Sequence, residues 1–471
     1  MQKRRQLKTL YTALYVEEVV SMEDMPRSGS YREYYRITGR SGRTVVGVYN
    51  EDRKENMAFL SFSRHFHAHG LEVPEILAED LDNHIYLQED LGDLTLYEYL
   101  TRVYKNGIFP QSLIDIYKTV LEALPKFQLS AGKTLDYTKC YPRFRFDRQS
   151  IMWDLNYFKY YFLKLARISF DEQELENDFN RFADFLLETE TDFFMYRDFQ
   201  SRNIMLKDET PYFIDYQGGR YGALQYDVAS LLYDAKADIP QHIRDRLFEH
   251  YLDVLSGYRK VDRTAFTKYY HAYVLVRILQ AMGAYGFRGF YEKKQHFLKS
   301  VPYAVENISY LLDVMELPIK IPALLSVLKK ITETERLMQY GRSDSDKLTL
   351  DISSFSYKRG IPDDTSGNGG GFVFDCRGIL NPGRYEEYKD LNGRDKAVQE
   401  FLRSKTDIED FIAHAVAMVE PTVDNYVKRK FTHLMVGFGC TGGQHRSVYC
   451  ALQFADHFKK REDIIVQLNH F

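Results

Sequence analysis

The chain lacks the features that mark several classes of protein. Only four cysteines occur in its 471 residues, and none forms a C-x-x-C pair, which argues against a disulfide scaffold and a structural zinc knuckle. No run of about 18 uncharged apolar residues occurs, and no apolar stretch follows the basic residues 1–5, so we expect neither a membrane span nor a secretion signal. We therefore expect a cytoplasmic protein whose thiols are reduced.

An excess of charge of either sign is also missing. The 63 Lys and Arg residues oppose 67 Asp and Glu residues, and the net charge of −4 argues against a generic polyanion binder. Hydrophobic residues make up 44% and charged residues 28% of the chain, which is typical of a globular protein with a buried core. At roughly 150 residues per domain, the length allows about three structural units.

The hydrophobic patterns divide the chain near residues 343–346. Before that point, short strands and a helix that begins near Lys54 are followed by a long, mostly helical region from residue 95 onward. Beyond that point, strands alternate with helices, which is an α/β pattern. The predicted strands are 31–38, 44–49, 85–88, 193–196, 212–214, 348–352, 372–375 and 431–438.

An ordered set of polar residues lies in the middle of the chain. Asp198 lies five residues before Asn203, and Asp215 follows twelve residues later, after a short apolar stretch. Phosphoryl transfer uses such a set, because one carboxylate orients and deprotonates the acceptor hydroxyl while an amide and a second carboxylate hold the metal that bridges the nucleotide phosphates. We therefore predict Asp198 as the catalytic base, and Asn203 and Asp215 as metal ligands.

These residues and the motifs around them resemble the aminoglycoside phosphotransferase and choline-kinase-like superfamily, which shares the protein-kinase architecture. The closest resemblance is to bacterial kinases that phosphorylate N-acetylmuramate and N-acetylglucosamine at the anomeric hydroxyl. It implies ATP and Mg²⁺ as cofactors and a small sugar or amino sugar as substrate. The motifs that carry the resemblance are residues 28–36, 70–77, 87–92, 196–203, 213–217 and 226–232.

The resemblance also implies roles for individual residues. A short polar turn would cover the nucleotide phosphates, a segment after a strand would form the adenine hinge, and two residues would support the catalytic loop. These are Ser28, Gly29 and Ser30 for the phosphates, Glu89 and Leu91 for the hinge, and Tyr196 and Asp227 for the support.

Two departures from the family pattern leave a second interpretation open. Tyr196 stands where the family usually has a histidine, and residues 44–49 carry no lysine where kinases keep a phosphate clamp. Arg43 and Lys54 are candidates to replace that lysine, with solvated charges as the alternative. The second hypothesis is a nucleotide-sensing pseudokinase that acts as a regulatory RNA- or protein-binding adapter.

The acceptor pocket has less distinct signals. Charged residues ahead of Trp153 are candidates for lining it, and a solvated charged loop is the alternative. These residues are Arg143, Arg145, Asp147 and Arg148.

A glycine-rich loop joins a predicted strand to the last predicted helix. Backbone N–H groups of such a loop converge on one point, and the helix dipole and a guanidinium add to the attraction for an anion. Cys440 and Arg446 have the spacing of a cysteine phosphatase loop, whose thiolate attacks phosphorus, and a loop that only binds phosphate is the alternative. The candidate residues are Cys440, Thr441, Gly442, Gly443, His445, Arg446 and Ser447.

This C-terminal region resembles the C-terminal domain of the bacterial RNase adapter (RapZ) family. That family's domain binds an amino-sugar phosphate, glucosamine 6-phosphate, and a small regulatory RNA. The resemblance implies a sugar phosphate held by the glycine-rich loop, with Asp375, Arg377 and Asp395 as neighbours, and favours binding over phosphatase chemistry. The matching segments are residues 356–362, 373–377, 381–382, 393–395 and 439–449.

RNA ranks below a small phosphorylated ligand as the partner of this region. From residue 351 to 471, 16 Lys and Arg residues oppose 17 Asp and Glu residues, whereas RNA-binding domains are usually net basic. The basic clusters at residues 428–430 and 459–461 are typical of solvated helix ends.

The sequence therefore predicts an α+β protein. A bilobal protein-kinase-like fold, with an N-lobe at residues 1–92 and a helical C-lobe at residues 93–342, precedes a small separate α/β domain at residues 347–471 that carries a strand–glycine loop–helix anion site. We predict an ATP- and Mg²⁺-dependent sugar kinase, fused to a domain that binds a sugar phosphate and regulates the kinase.

Overall fold

The computed structural model describes residues 2–26, 32–105, 107–340, 347–362, 364 and 370–471. The chain divides into two compact units. Unit 1 comprises Met1–Ala284 and Tyr303–Glu333, and unit 2 comprises Tyr285–Pro302 and Thr334–Phe471. Among the described residues, no helix combines the length and the apolar character that a membrane crossing requires.

Unit 1 opens with a five-stranded antiparallel sheet and two helices. The helices are α1 (Gln2–Tyr15) and α2 (Arg53–Ala68), and the strands are β1 (Val19–Asp24), β2 (Glu33–Gly39), β3 (Thr44–Tyr49), β4 (Ile76–Asp80) and β5 (Ile85–Glu89). The sheet order is β1-β2-β3-β5-β4. Leu7 and Tyr11 of α1 are fully buried in one core cluster with Ile37, Val45 and Leu87, which are apolar residues of the pleated strands.

Helix α2 is capped and amphipathic. The carboxylate of Asp52 accepts hydrogen bonds from the N–H groups of Lys54 and Glu55, which fixes the first turn. Farther along the helix, phenylalanines that include Phe59 and Phe62 are buried at helical spacing. The cap and the buried face together fix the position of Glu55.

The rest of unit 1 is mainly helical, with two short two-stranded sheets. The helices are α3 (Leu96–Val103), α4 (Gln111–Pro125), α5 (Arg148–Tyr157), α6 (Glu172–Leu186), α7 (Leu224–Leu232), α8 (Gln241–Ser256), α9 (Arg263–Gly286), α10 (Val301–Val314) and α11 (Pro322–Glu333). The last residues of α9 and the first residues of α10 are assigned to unit 2, as is the whole of the next helix, α12 (Glu335–Gln339). Strand β6 (Phe193–Met195) pairs with β9 (Arg220–Gly222), and β7 (Ile204–Lys207) pairs with β8 (Thr210–Phe213), all antiparallel.

Unit 2 contains a four-stranded parallel sheet. Its strands are β10 (Leu348–Ser356), β11 (Phe372–Asp375), β12 (His433–Cys440) and β13 (Ile464–His470), in the order β11-β12-β10-β13. Its helices include α13 (Lys396–Lys405), α14 (Ile408–Lys428) and α15 (Arg446–Phe458). Apolar residues of the central strands, such as Ile352, Val436 and Phe438, are fully buried. The carboxyl ends of β10, β11 and β12 lie side by side at one edge of the sheet.

The predicted fold class is confirmed, with additions. Strands β3 and β11 have the predicted bounds, whereas the sequence patterns did not reveal α1, β1, β4 or β13. The unit boundaries are less simple than the predicted ones, because residues 285–302 group with unit 2.

Candidate functional site

The three residues of the phosphoryl-transfer set lie together at the hairpin of β7 and β8. The side-chain amide of Asn203 donates one hydrogen bond to the backbone carbonyl of Asp198 (2.9 Å) and another to Oδ2 of Asp215 (3.2 Å). The amide of Gln217 donates to Oδ1 of Asp215 (2.7 Å). The side chain of Asp198 is 42% exposed, so its carboxylate is open to a solute.

The oxygens of this group suit a hard divalent cation. The side-chain nitrogen of Asn203 donates both of its hydrogens to acceptors, so Oδ1 is the atom of this amide that could bind a metal. Burial and the nearby Asp198 carboxylate raise the pKa of Asp215, and a bound cation would offset that unfavourable charge. Mg²⁺ prefers carboxylate, amide and phosphate oxygens, so the residues present fit this ion together with nucleotide phosphates.

The predicted support residues hold the backbone around Asp198. The fully buried carboxylate of Asp227 accepts hydrogen bonds from the backbone N–H groups of Tyr196 (2.8 Å) and Arg197 (3.0 Å), and a longer one from the amide of Gln128 (3.4 Å). The Tyr196 hydroxyl donates to the backbone carbonyl of Ile214 (2.6 Å), which lies just before Asp215. The tyrosine therefore ties the backbone before Asp198 to the backbone before Asp215.

Two arginines at the site were not identified from the sequence. Arg197 adopts a left-handed backbone conformation (φ +83°), and its Nη2 donates to Oδ1 of the nearly buried Asp154 (2.7 Å). Nη2 of Arg277, on α9, lies 3.9 Å from Oδ1 of Asp198. No local sequence motif identifies either arginine, because each lies more than 40 residues away in the chain from the carboxylate that it contacts. These contacts become visible once the fold is known.

The nucleotide-binding predictions have different outcomes. Glu89 lies at the end of β5, where its Oε1 accepts a hydrogen bond from Nζ of Lys207 (2.6 Å), and Leu91 is buried just beyond that strand. This segment connects the sheet of unit 1 to its helical part. Ser28, Gly29 and Ser30 lie outside the described residues.

The charged candidates for the acceptor pocket form local ion pairs. Arg143 pairs with Asp147 and lies over the ring of Trp153, with 5.3 Å between the guanidinium carbon and the ring centre. Arg148 donates from Nε to Oδ1 of Asp184 on α6 (2.8 Å). Arg145 Nη2 lies 2.8 Å from Oδ1 of Asp192, and its guanidinium carbon lies 5.0 Å from the centre of the Tyr221 ring.

The glycine-rich loop of unit 2 lies at the carboxyl end of β12 and opens α15. The Cys440 thiol is buried and lies 3.1 Å from the hydroxyl of Ser447. Burial raises the pKa of Cys440, but hydrogen bonds from Ser447 and from the backbone N–H of Gly443 outweigh it and lower the pKa below its ordinary value. The backbone carbonyl of Thr441 accepts a hydrogen bond from the Ser356 hydroxyl (2.8 Å), which ties the loop to the end of β10.

Two glycines of this loop differ in whether the structure has room for a side chain at their position. Gly443 has a left-handed backbone (φ +71°), and a Cβ there would lie 3.0 Å from the backbone nitrogen of Ser356. A Cβ on Gly442 would meet no atom within 4 Å, because its side faces open space. Gly443 therefore depends on lacking a side chain, whereas Gly442 borders the open side of the loop.

The side chains of His445 and Arg446 support neighbouring segments. The His445 ring nitrogen Nε2 lies 2.8 Å from the backbone carbonyl of Tyr388, and Arg446 Nη1 donates to the backbone carbonyls of Arg377 (3.0 Å) and Ile379 (2.7 Å). Both side chains are nearly fully buried. They hold the segment after β11 against the loop.

The neighbours predicted for this loop lie at the same edge of the sheet or close to it. Arg377 forms a two-point ion pair with Asp375 at the end of β11 and lies over the Tyr357 ring, 4.0 Å from its centre. Asp395 accepts a hydrogen bond from the backbone N–H of Asn392 (2.7 Å), beside the backbone of Gly393, which donates to the loop carbonyl of Gln444 (2.9 Å).

Comparison with protein-family models gives two matches. Residues 26–263 match the phosphotransferase enzyme family, and residues 348–471 match the RapZ C-terminal domain. The first match covers half of the chain. It includes Asp198, Asn203 and Asp215, and the second match includes the whole glycine-rich loop.

Curated proteins resemble the C-terminal part. A nucleotide-binding protein of Janthinobacterium sp. (strain Marseille) is 38% identical over 125 residues, which are 26% of this chain and 42% of that protein. A nucleotide-binding protein of Endomicrobium trichonymphae is 36% identical over 129 residues, which are 27% of this chain and 43% of that protein. The chain thus spans less than half the length of these curated relatives.

Solved structures resemble a larger part of the chain at low identity. The choline kinase of Cryptosporidium parvum Iowa II is 12% identical with a TM-score of 0.45, over 66% of this chain and 93% of that one. A choline/ethanolamine kinase family protein of Mesorhizobium loti is 13% identical with a TM-score of 0.45, over 71% of this chain and 100% of that one.

Proposed function

The chain belongs to the phosphotransferase enzyme family, and we propose that unit 1 transfers the terminal phosphoryl group of ATP to a hydroxyl of a small sugar or amino sugar. The observation that carries the proposal is the hydrogen-bonded group of Asp198, Asn203 and Asp215, in which the Asn203 amide bridges the other two residues. Mg²⁺ would neutralise the nucleotide phosphates at Asn203 and Asp215. This group supports an active kinase rather than a pseudokinase.

In this proposal, one carboxylate takes part in the reaction and two other residues hold the backbone around it. We assign to Asp198, which is partly exposed, the role of orienting the acceptor hydroxyl and accepting its proton. Asp227 and Tyr196 fix the backbone on either side of it, so the carboxylate of Asp198 is preorganised. The anomeric hydroxyl of an N-acetylated amino sugar is the acceptor that the sequence resemblance favours.

Asp198→Asn tests this proposal. We expect ATP-dependent ADP formation with N-acetylglucosamine or N-acetylmuramate to fall by about 100- to 10,000-fold, because the amide cannot accept the proton. Asp208→Asn is the matched control: Asp208 is exposed on the turn between β7 and β8, and its left-handed backbone (φ +49°) tolerates asparagine. Wild-type protein that forms no ADP with any sugar of a panel would contradict the proposal, as would an Asp198→Asn variant with the wild-type rate.

We further propose that unit 2 binds a sugar phosphate at the Cys440–Ser447 loop and that this binding changes the rate of unit 1. The support is the site at the carboxyl ends of β10, β11 and β12, where a glycine loop opens a helix and the Gly442 side is open. Carboxyl ends of parallel strands are where ligands bind in open α/β sheets.

Two neighbouring glycines make a matched test of this loop. Gly443→Ala should lower the affinity for glucosamine 6-phosphate by at least about 10-fold, because the left-handed backbone and the contact with Ser356 force the loop to shift. Gly442→Ala should change the affinity much less, because its Cβ meets nothing. Titration calorimetry on the full chain measures both affinities. Equal effects of the two substitutions would contradict a ligand held by the loop, and a kinase rate unchanged at saturating sugar phosphate would contradict the regulation.

Phosphate-ester hydrolysis by Cys440 is a second candidate function. It is favoured by the lowered pKa of the thiol and by the Ser447 hydroxyl 3.1 Å away, and it is opposed by the use of the Arg446 guanidinium on two backbone carbonyls. Phosphate release from a sugar phosphate or an aryl phosphate that disappears in Cys440→Ser would support it. Wild-type protein that binds glucosamine 6-phosphate and releases no phosphate would exclude it.

A further inference from the structure

A cavity of about 520 Å³ lies in unit 1, and the residues that line it do not include Asp198, Asn203 or Asp215, all of which the structure describes. Its lining comes from the segment between α6 and β6, from the first residues of α7, and from the chain between the end of α8 and the start of α9. Sites for small molecules usually measure about 300–1,000 Å³, so this cavity is large enough to hold one.

The buried part of the lining is apolar apart from one amide. Leu255 is fully buried, and Leu224 and Phe266 are nearly so. Gln225 is 4% exposed, and its side-chain amide has no hydrogen bond to any residue that the structure describes. Neither polar atom of that amide is sealed from solvent, so the amide faces the cavity that Gln225 lines. A buried amide without a partner costs free energy, which a ligand that pairs with it would recover.

The exposed part of the lining carries charged groups that bond to one another or to neighbours. The Arg259 guanidinium donates two hydrogen bonds to the Glu190 carboxylate (2.7 and 3.1 Å) and lies over the Phe193 ring, 5.1 Å from its centre. The Tyr269 hydroxyl donates to Oε2 of Glu188 (3.0 Å). The lining as a whole has three carboxylates and two basic groups, so its charge does not favour an anion.

The cavity adjoins both chain segments that the Asp227 carboxylate connects. Phe193 is the first residue of β6, which leads to Tyr196, whose backbone N–H donates to that carboxylate. Leu224 is the first residue of α7, three residues before Asp227. The Gln128 amide donates to the backbone carbonyl of Leu224 (3.1 Å) and to the Asp227 carboxylate (3.4 Å). A ligand in contact with Phe193 and Leu224 would therefore restrain the backbone on both sides of this connection.

We propose that this cavity is a regulatory site for a small neutral molecule with a flat apolar body and an amide-like edge, in which one N–H lies beside one carbonyl. The Gln225 amide offers a carbonyl acceptor and N–H donors, so it can form two hydrogen bonds with such an edge. The buried apolar residues would contact the flat body. The binding of this molecule is independent of the proposed function, whereas its effect on the rate of phosphoryl transfer rests on that function.

Titration calorimetry of the full-length protein with three lactams, 2-quinolinone, uracil and hypoxanthine, tests the binding. We expect at least one of them to bind with a Kd below about 1 mM. Its derivative methylated at the lactam nitrogen should bind the wild type at least about 10-fold more weakly, because the methyl group removes the donor and separates the carbonyl from the Gln225 amide. At saturation, we expect the lactam to change the rate of sugar-dependent ADP formation by at least about 2-fold.

Three variants determine where the lactam binds. Gln225→Leu keeps a side chain of similar size, and it should bind the lactam and the methylated derivative with equal, weak affinity. Ala265→Trp fills the cavity from an exposed position in the first turn of α9 and should abolish binding. Gln173→Leu is the matched control, because Gln173 is exposed at the other end of α6 from the cavity, and it should bind like the wild type. If Gln225→Leu does not fold, the methylated derivative and Ala265→Trp decide.

The outcomes separate this inference from the proposed function. A wild-type protein that binds none of the three lactams overturns the site and leaves the proposed function standing. The site is also overturned if binding persists in Ala265→Trp, or if the wild type binds a lactam and its methylated derivative equally. An unchanged rate at saturating lactam overturns the regulatory role. Binding at this cavity by a protein that phosphorylates no sugar overturns the proposed function, and with it the effect on the rate, but leaves the binding site.

Discussion

The buried carboxylate of Asp227 holds the backbone just before Asp198. Asp227→Ala would leave the backbone N–H groups of Tyr196 and Arg197, now bonded at 2.8 and 3.0 Å, buried without an acceptor. Each such loss costs about 1–3 kcal/mol. Burial raises the pKa of Asp227 to about 7, so holding it ionised has a cost, and its removal returns part of that free energy. We therefore expect a net loss of about 2–4 kcal/mol in the free energy of unfolding.

Tryptophan fluorescence makes this measurement specific to unit 1. The chain has a single tryptophan, Trp153, and it lies on α5. Guanidinium unfolding followed at this residue gives the free energy of unfolding of its surroundings. Asp198→Ala is the control from the same loop: its side chain is 42% exposed, so we expect a change within about 0.5 kcal/mol. Equal unfolding midpoints for the two variants would refute the division between a supporting and a reacting carboxylate.

Two further predictions concern the same site. Arg197→Ala should lower the free energy of unfolding by about 3–5 kcal/mol, because it removes the ion-pair partner of the nearly buried Asp154 carboxylate. Adding Asp154→Asn to this variant should recover part of the loss. If the losses in free energy of unfolding caused by the two substitutions simply add, the two residues are not coupled. Burial and Asp198 raise the pKa of Asp215, so protons should compete with Mg²⁺ above the ordinary carboxyl range and the affinity for Mg²⁺–ATP should rise with pH until Asp215 is ionised. Titrations at several pH values measure this, and Asp198→Asn should move the rise to lower pH; an unmoved profile would contradict the assigned cause.

Residues close in the chain were the ones whose proximity the sequence could predict. Asp198, Asn203 and Asp215 lie on and beside one hairpin, so their spacing alone brings them together. The glycine-rich loop could be predicted for the same reason, because a strand, a loop and a helix follow one another directly in the chain. Strand β13 was missed because it pairs with β10 at the edge of its sheet and alternates partly buried with exposed residues, which gives it little hydrophobic signal.

Contacts between distant segments could not be predicted, because they depend on sheet order and helix packing. The guanidinium of Arg446 bonds to carbonyls 67 and 69 residues earlier in the chain, so a residue expected at the anion also supports a neighbouring segment. The pair of Arg32 and Glu55 likewise joins the start of β2 to α2 across the sheet. Local patterns carry no information about which cation a buried carboxylate will meet.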